Sequence, residues 1–79
     1  MLPKYKVVLQ NDDVNSVEKV IAALHLIVGL PLKEAMQLVE YINDEGSASI
    51  GAWHHELAET IVVRLNNVGL TAAIDKVNQ

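Results

Sequence analysis

The hydrophobic spacing switches several times between strand-like and helix-like within only 79 residues, and the order of these switches constrains the fold more than any other feature. The run Tyr5–Gln10 (YKVVLQ) is apolar and β-branched and is followed by the turn-forming NDD, which predicts a strand. Apolar side chains then recur at helical spacing as far as Gly29. Asn15, with Glu18 three residues later, predicts a capping box at the start of this helix.

A second helix is predicted between Pro31 and Gly46, because proline suits a first helical turn and glycine suits a helix end. Its apolar positions form one stripe along the helix. The members of this stripe are Leu32, Ala35, Met36, Val39 and Ile42. Two helices separated by the turn-forming Gly29–Pro31 are therefore expected after the first strand.

The last third of the chain predicts strand, helix and strand. Ser47–Trp53 (SASIGAW) alternates small or apolar with polar residues, and the run LTAAIDKV after Gly69 favours a final strand. The helix between them has a predicted buried face of Leu57, Ala58, Ile61, Leu65 and Val68. The order β-α-α-β-α-β predicts an α+β fold, a single domain over residues 1–79 with three helices packed on a three-stranded, mostly antiparallel sheet.

Charge and composition exclude several classes of function. Six Lys and Arg against ten Asp and Glu give a formal charge of −4, which disfavours nucleic acid as a partner and favours cationic groups such as a peptide ammonium. The chain has no cysteine, so it has no disulfide, thiolate metal site or cysteine nucleophile. No apolar run is long enough for a membrane span and MLPKYKVVLQ lacks a leader pattern, so we expect a soluble, non-exported protein with no membrane partner.

The histidines do not indicate catalysis or a metal site. His25 lacks a second ligand at helical spacing, which is typical of an ordinary surface histidine. In HHELAE, His55 and Glu59 share a helix face, but Glu59 occupies the place of the second histidine that a zinc protease helix requires. The segment instead predicts a helix start with an acidic first turn. Because no nucleophile has an evident base, we expect no enzyme activity and no cofactor.

The NDD segment, Asn11–Asp13, is the strongest candidate for binding chemistry. It follows an apolar strand and precedes a capped helix. One interpretation is an Asx turn, in which the side chains bond to the local backbone. The other is a ligand site, because carboxylate and amide oxygens accept charge-assisted hydrogen bonds from an ammonium group, which carries three donors.

The segment YKVVLQNDDVNSVEKVI, with GSASIGAW and ELAET later in the chain, resembles the ClpS family of Clp protease adaptors. That family carries YKV, NDD, a G-x-A-x-x-G strand and an A-E-T helix in the same order, and its elements follow the order β-α-α-β-α-β. The resemblance implies an adaptor that binds N-degron substrates by a bulky hydrophobic first residue. It also implies delivery to a ClpA or ClpC unfoldase for degradation by ClpP, in the cytoplasm or the plastid stroma.

The resemblance assigns roles to individual residues. Asn11 and Asp12 match ligands of the substrate α-amino group, and Asn43 stands where the family has a histidine. Since asparagine is shorter, we expect binding to weaken by about 1.5 to 3 kcal/mol. The pocket for the first side chain maps to Asn15, Val17, Val20, Val39, Ile42 and Leu70. Val17 and Val39 replace family methionines, which predicts a wider or differently selective pocket, although plain core positions remain an alternative for all the aliphatic members.

Docking on the unfoldase is implied at the third helix. Glu56 matches a family acidic residue, and Ile61 stands where a lysine commonly contacts the partner. An exposed Ile61 would give a more apolar interface. Only Met1–Lys4 precede the first strand, whereas family members carry a flexible N-terminal extension needed for delivery. Either the sequence is trimmed, or the protein binds substrates without delivering them.

Two alternatives belong to other classes of function. The segment VGLPLKEAMQLVE resembles the C-terminal domain of the bacterial ribosomal stalk protein, which has the same fold and recruits translation GTPases. That activity uses basic residues on the first two helices, where this chain has Ala22, His25 and Met36 and retains only Lys33. The stalk domain also lacks NDD after its first strand. The other alternative is a structural module that binds no ligand.

Overall fold

The computed structural model describes residues 3–12 and 14–76 of the chain. Its strands are β1 (Tyr5–Gln10), β2 (Ser47–Trp53) and β3 (Thr71–Lys76). Its helices are α1 (Val17–Ala23), which continues as a π-helical turn (Leu24–Val28), α2 (Leu32–Glu45) and α3 (His55–Asn67). The predicted α+β class and the order β-α-α-β-α-β are confirmed. The end of the predicted last strand, Val77, lies outside the described residues.

β1 is the central strand of the sheet and pairs antiparallel with both β2 and β3. The register with β2 shifts between Val7 and Val8, where Ile50 is the extra residue of a bulge. Gly51 follows the bulge with φ at +151°, and a Cβ there would lie 2.5 Å from the Trp53 ring. Only glycine fits this position, which explains why a strand that contains a glycine still forms.

The core lies between the helices and one face of the sheet. β1 contributes Val7 and Leu9, which point to the same face because strand side chains alternate. Leu9, Leu24 and Leu65 are the largest side chains that are almost fully buried. The remaining members of the core are Ala23, Ala35, Val39, Ile42, Ile50, Ala58, Ile61, Leu70 and Ala72.

The predicted helix stripes are wider than the faces that become buried. In α2, Ala35, Val39 and Ile42 are buried, whereas Leu32 and Met36 are each about half exposed. Leu32 is the first residue of α2, and Met36 lies one position around the helix from Ala35. Leu57, near the start of α3, and Val68, directly after its last residue, are also partly exposed, because they lie at the two ends of the buried row.

The start of α1 differs from the prediction. The N-cap is Ser16, whose Oγ accepts a hydrogen bond from the Lys19 backbone N–H at 3.2 Å, so the capping role predicted for Asn15 is wrong. The side chain of Asn15 is bonded elsewhere, as described below. After the π-helical turn, Gly29 ends the helix at φ +88°. His25 is exposed, and its Nδ1 lies 2.8 Å from the carbonyl oxygen of Leu30, an ordinary structural contact.

Within residues 3–12 and 14–76, no helix combines the length and the apolar character that crossing a membrane requires.

Candidate functional site

A pocket of about 80 Å³ opens where the end of β1 meets α1, α2 and the residue before β3. The residues that line it are Leu9, Gln10, Asn11, Asp12, Asn15, Val17, Val20, Val39, Ile42, Asn43 and Leu70. This set includes every residue that the sequence suggested for α-amino recognition and for the side-chain pocket. The fold therefore brings together, at one site, residues from the end of the first strand, from two helices and from the turn before the last strand.

The deep walls of the pocket belong to the core. Val39, Ile42 and Leu70 are each less than one-tenth exposed and pack in the buried cluster. Val20 is half-buried, and Val17 is 54% exposed at the mouth. Val39, Ile42 and Leu70 are therefore core residues, as the alternative interpretation held, and they also line the pocket.

The carboxylate of Asp12 is the charged group of the pocket. Its Oδ1 accepts hydrogen bonds from the backbone N–H groups of Val14, at 3.0 Å, and Asn15, at 2.8 Å. The Asn15 side-chain amide lies 3.0 Å from Oδ1 and 2.9 Å from Oδ2. The backbone N–H of Asn15, followed by its side-chain amide, holds the pKa of Asp12 below its ordinary value of 3.8. Asp12 is therefore ionised at neutral pH.

The Asx turn expected of NDD is present, because the Asp12 side chain bonds to the backbone two and three residues further on. These hydrogen bonds do not use all the acceptor positions of the Asp12 carboxylate. Within the described residues, Oδ2 accepts from the Asn15 amide alone, and a carboxylate oxygen has two lone pairs. Asp13, the last residue of NDD, lies outside the described residues.

Asn11 and Asn43 complete the polar rim. The backbone N–H of Asn11 donates to the carbonyl oxygen of Gly46 at 2.8 Å, which fixes the loop after β1 to the end of α2. Gly46 ends that helix with φ at +94°, and Asn43 lies in its last turn. Both asparagines are exposed and line the pocket, so their side-chain amides are accessible to a ligand at the mouth.

The site also contains residues that the sequence analysis missed. Leu9 and Gln10 line the pocket, although their spacing indicated only strand positions. Their place directly before NDD was the available signal. Asn15 was expected as a wall of the apolar pocket, but its amide donates to Asp12 and also to the carbonyl oxygen of Gly69 at 2.9 Å.

The HHE segment forms a helix start, as predicted. His54 is the N-cap of α3, and the exposed Glu56 lies in the acidic first turn. His55 Nε2 lies 2.9 Å from Glu59 Oε1, one helical turn away. Within the described part of the chain, no three histidine or acidic side chains lie close enough together to hold a metal ion.

Ile61 does not lie on the surface, as the docking role implied by the family resemblance would require. It is only 5% exposed, because it shares the buried face of α3 with Ala58 and Leu65. The expectation of an exposed Ile61 that contacts a partner is therefore wrong. Of the two residues assigned to docking, only Glu56 lies on the surface.

Comparison with known proteins gives consistent matches. The sequence model of the family described as "ATP-dependent Clp protease adaptor protein ClpS" matches residues 2–73. The ClpS of Ruegeria sp. (strain TM1040) is 36% identical over 63 residues, which cover 80% of this chain and 56% of the relative. The ClpS of Serratia proteamaculans (strain 568) is 39% identical over 62 residues, covering 78% and 58%. The chain thus spans little more than half the length of these relatives.

A solved structure has the same fold. Agrobacterium tumefaciens ClpS2, bound to L-phenylalaninamide, superposes with a TM-score of 0.92 at 22% sequence identity. The superposition covers 98% of this chain and all of the other. Since the family match extends over nearly the whole chain, the protein belongs to the ClpS family of ATP-dependent Clp protease adaptors, which are adaptors and not enzymes.

Proposed function

We propose that this protein recognises N-degron substrates by their free α-amino group and a hydrophobic first side chain, and delivers them to a ClpA- or ClpC-type unfoldase for degradation by ClpP. The observation that carries the proposal is the pocket at the end of β1, where an ionised carboxylate and two exposed amide side chains border an apolar depression. A charged amine attached to a hydrophobic side chain complements both parts of such a site.

The rim supplies acceptors for the ammonium group. An α-amino group has a reference pKa of about 7.7 to 8.0, so it is largely charged at neutral pH and brings three donors. Asp12, Asn11 and Asn43 each offer an oxygen at the rim. Removing the charged amine from water costs free energy, and the cost is large when a donor is left without a partner. Hydrogen bonds from all three N–H groups to these oxygens offset that cost.

The apolar walls select the first side chain. Val39, Ile42 and Leu70 form the depth of the pocket, and burial of apolar area there contributes about 25 cal/mol per Å². The volume of 80 Å³ is well below the cavity of about 150 Å³ that holds benzene in an engineered protein. We therefore expect a medium aliphatic side chain such as Leu to fit directly, whereas Trp would require movement of Val17 at the mouth.

Ligand chemistry in a protein of the same fold supports this proposal. Agrobacterium tumefaciens ClpS2 has been solved with L-phenylalaninamide, a molecule that carries a free α-amino group and a hydrophobic side chain. For delivery, we propose contact between Glu56 at the start of α3 and the N-terminal domain of the unfoldase. The protein would act in the cytoplasm, or in the plastid stroma if it is organellar.

The test is the affinity of the protein for a peptide with N-terminal Leu, compared with the same peptide acetylated at its amine. We expect tight binding of the free peptide and little binding of the acetylated form. Asp12→Asn should abolish the difference, whereas Asp44→Asn, which removes an equal charge from an α2 residue that does not line the pocket, should preserve it. Equal affinity for the two peptides in the unaltered protein would disprove the proposal.

A further inference from the structure

We propose that Asn15 is a positioning residue for substrate binding: its side-chain amide holds the Asp12 carboxylate and the Gly69–Leu70 turn as one unit, so that the amine-binding group and a wall of the pocket keep a fixed separation. The inference rests on the function proposed above and changes the role of Asn15. The resemblance to the ClpS family had assigned this residue to the lining of the apolar pocket.

The hydrogen bonds of the Asn15 amide carry the inference. Its Nδ2 lies 3.0 Å from Asp12 Oδ1 and 2.9 Å from Asp12 Oδ2. The same nitrogen lies 2.9 Å from the carbonyl oxygen of Gly69. All three partners are acceptors only, which fixes the orientation of the amide with its nitrogen toward them. One N–H is therefore directed to the carboxylate and the other to Gly69.

The Gly69 contact joins distant parts of the site. Asn15 and Gly69 are 54 residues apart in the chain. Gly69 has φ at +92° and precedes Leu70, which is buried and lines the pocket. The backbone N–H of Leu70 donates to the Leu65 carbonyl at 3.1 Å, so the turn is also attached to the end of α3. Through one amide, the loop that carries Asp12 is connected to the turn that carries Leu70, a wall of the pocket.

Few other side chains could perform this task at this position. A serine or threonine hydroxyl has one donor hydrogen, so it could serve the carboxylate or Gly69 but not both. An aspartate has no donor when ionised and would repel Asp12. Lys19 is the cation that acts on Asp12, but its charge is the smallest of the influences that lower the pKa of that carboxyl. Asn15 supplies the larger ones.

The experiment compares the unaltered protein with Asn15→Ala, Asn15→Ser and Ser16→Ala, using the N-terminal Leu peptide and its acetylated form. Asn15→Ala should weaken binding of the free peptide about three- to tenfold, because the Asp12 carboxylate and the Gly69–Leu70 turn are then no longer held and must be ordered when the peptide binds. Asn15→Ser keeps one donor and should give an intermediate loss. Ser16→Ala removes the neighbouring helix cap without touching Asp12, so it should lower the thermal unfolding temperature and leave the affinity unchanged.

The pH dependence of the affinity separates positioning of Asp12 from a general structural effect. The informative part is the acid limb, the range in which affinity for the free peptide falls as the pH is lowered. Binding of the free peptide requires ionised Asp12, so affinity falls as the pH drops through the pKa of that group. Asn15→Ala removes a donor that lowers this pKa, and the loss of affinity should then begin at a higher pH than in the unaltered protein. Circular dichroism of each variant across the same pH range establishes that the protein is folded.

Three results would overturn the inference: an unchanged affinity in Asn15→Ala, an unchanged acid limb in that variant, or an equal loss of affinity in Ser16→Ala. If Asn15→Ala does not fold, Asn15→Ser takes its place, and an affinity and acid limb equal to those of the unaltered protein would overturn the inference. Failure of the proposed function has a different signature, because the unaltered protein would then bind the free and acetylated peptides equally.

Discussion

Replacement of Asn43 by histidine is expected to strengthen binding of a peptide with a free α-amino group, and only at a pH where the imidazole is neutral. Asn43 lies in the last turn of α2, lines the pocket and is exposed. No hydrogen bond within the described residues orients its side-chain amide. The amide must therefore be ordered when the ligand binds, which reduces its net contribution.

The size of the gain follows from this geometry. A hydrogen bond to a charged group contributes about 1.5 to 3 kcal/mol, and the value at an exposed rim lies at or below the lower limit. Asn43 already supplies part of it through its carbonyl oxygen. A longer ring with a neutral nitrogen acceptor should add about 1 kcal/mol, which corresponds to an increase in affinity of about fivefold.

The pH dependence has a definite sign. Neutral imidazole has one acceptor nitrogen, whereas the protonated ring has none and repels an ammonium group. With an ordinary histidine pKa of about 6.5 and an α-amino pKa of about 7.7 to 8.0, the gain should be present near pH 7 and lost near pH 5.5. Isothermal titration calorimetry of Asn43→His and the unaltered protein with the N-terminal Leu peptide measures it. A gain that is equal at both pH values, or equal for the acetylated peptide, would refute a role for residue 43 as an acceptor for the amine.

Three further outcomes follow from the structure. The pKa of Asp12 is lower in the folded protein, so its contribution to folding is present above the ordinary value of 3.8 and is lost as the pH falls through the folded pKa. In urea titrations, any stability difference from Asp12→Asn should shrink as the pH falls from about 4 toward that lower folded pKa. Leu65→Ala empties a fully buried position and should cost about 2 to 5 kcal/mol of unfolding free energy, whereas Leu57→Ala, on the same helix but 40% exposed, should cost much less. Gly69→Ala forces φ +92° on a residue with a Cβ and should cost about 1 to 2 kcal/mol by the same measurement, with no loss in a Gly69→D-Ala protein made by chemical synthesis.

The helix ends were predictable because they depend on local backbone geometry. Gly29 and Gly46 were predicted to end helices, and both have a positive φ that other residues rarely adopt, as does Gly69 after α3. The start of α1 was not predictable in the same way. Asn15 and Ser16 are both good N-cap residues; Ser16 caps the helix, whereas the Asn15 side chain bonds to Asp12 and to Gly69, and the contact with Gly69 is one that no local pattern contains.

Helical spacing predicted the direction of the buried faces better than their extent. Ile61 has the spacing of a core residue and is buried, so the spacing was a better guide than the family position that had suggested a docking contact. Met36 has similar spacing and is half exposed. Spacing indicates which side of a helix is apolar, but whether a given position is covered depends on the packing of neighbouring elements.

The same limit explains why the apolar half of the site could not be separated from the core by sequence pattern alone. NDD was recognisable because polar side chains rarely follow a buried strand without a local role, whereas Val39, Ile42 and Leu70 have an ordinary core pattern. In the structure these three residues belong to the core and also line the pocket, which is a gap at the edge of the core. A substitution that enlarges the pocket at one of these positions must therefore lower the free energy of unfolding, since the removed atoms also pack against the core. Val17 is half exposed at the mouth and is less constrained, so selectivity for the first side chain can change there at little cost in stability.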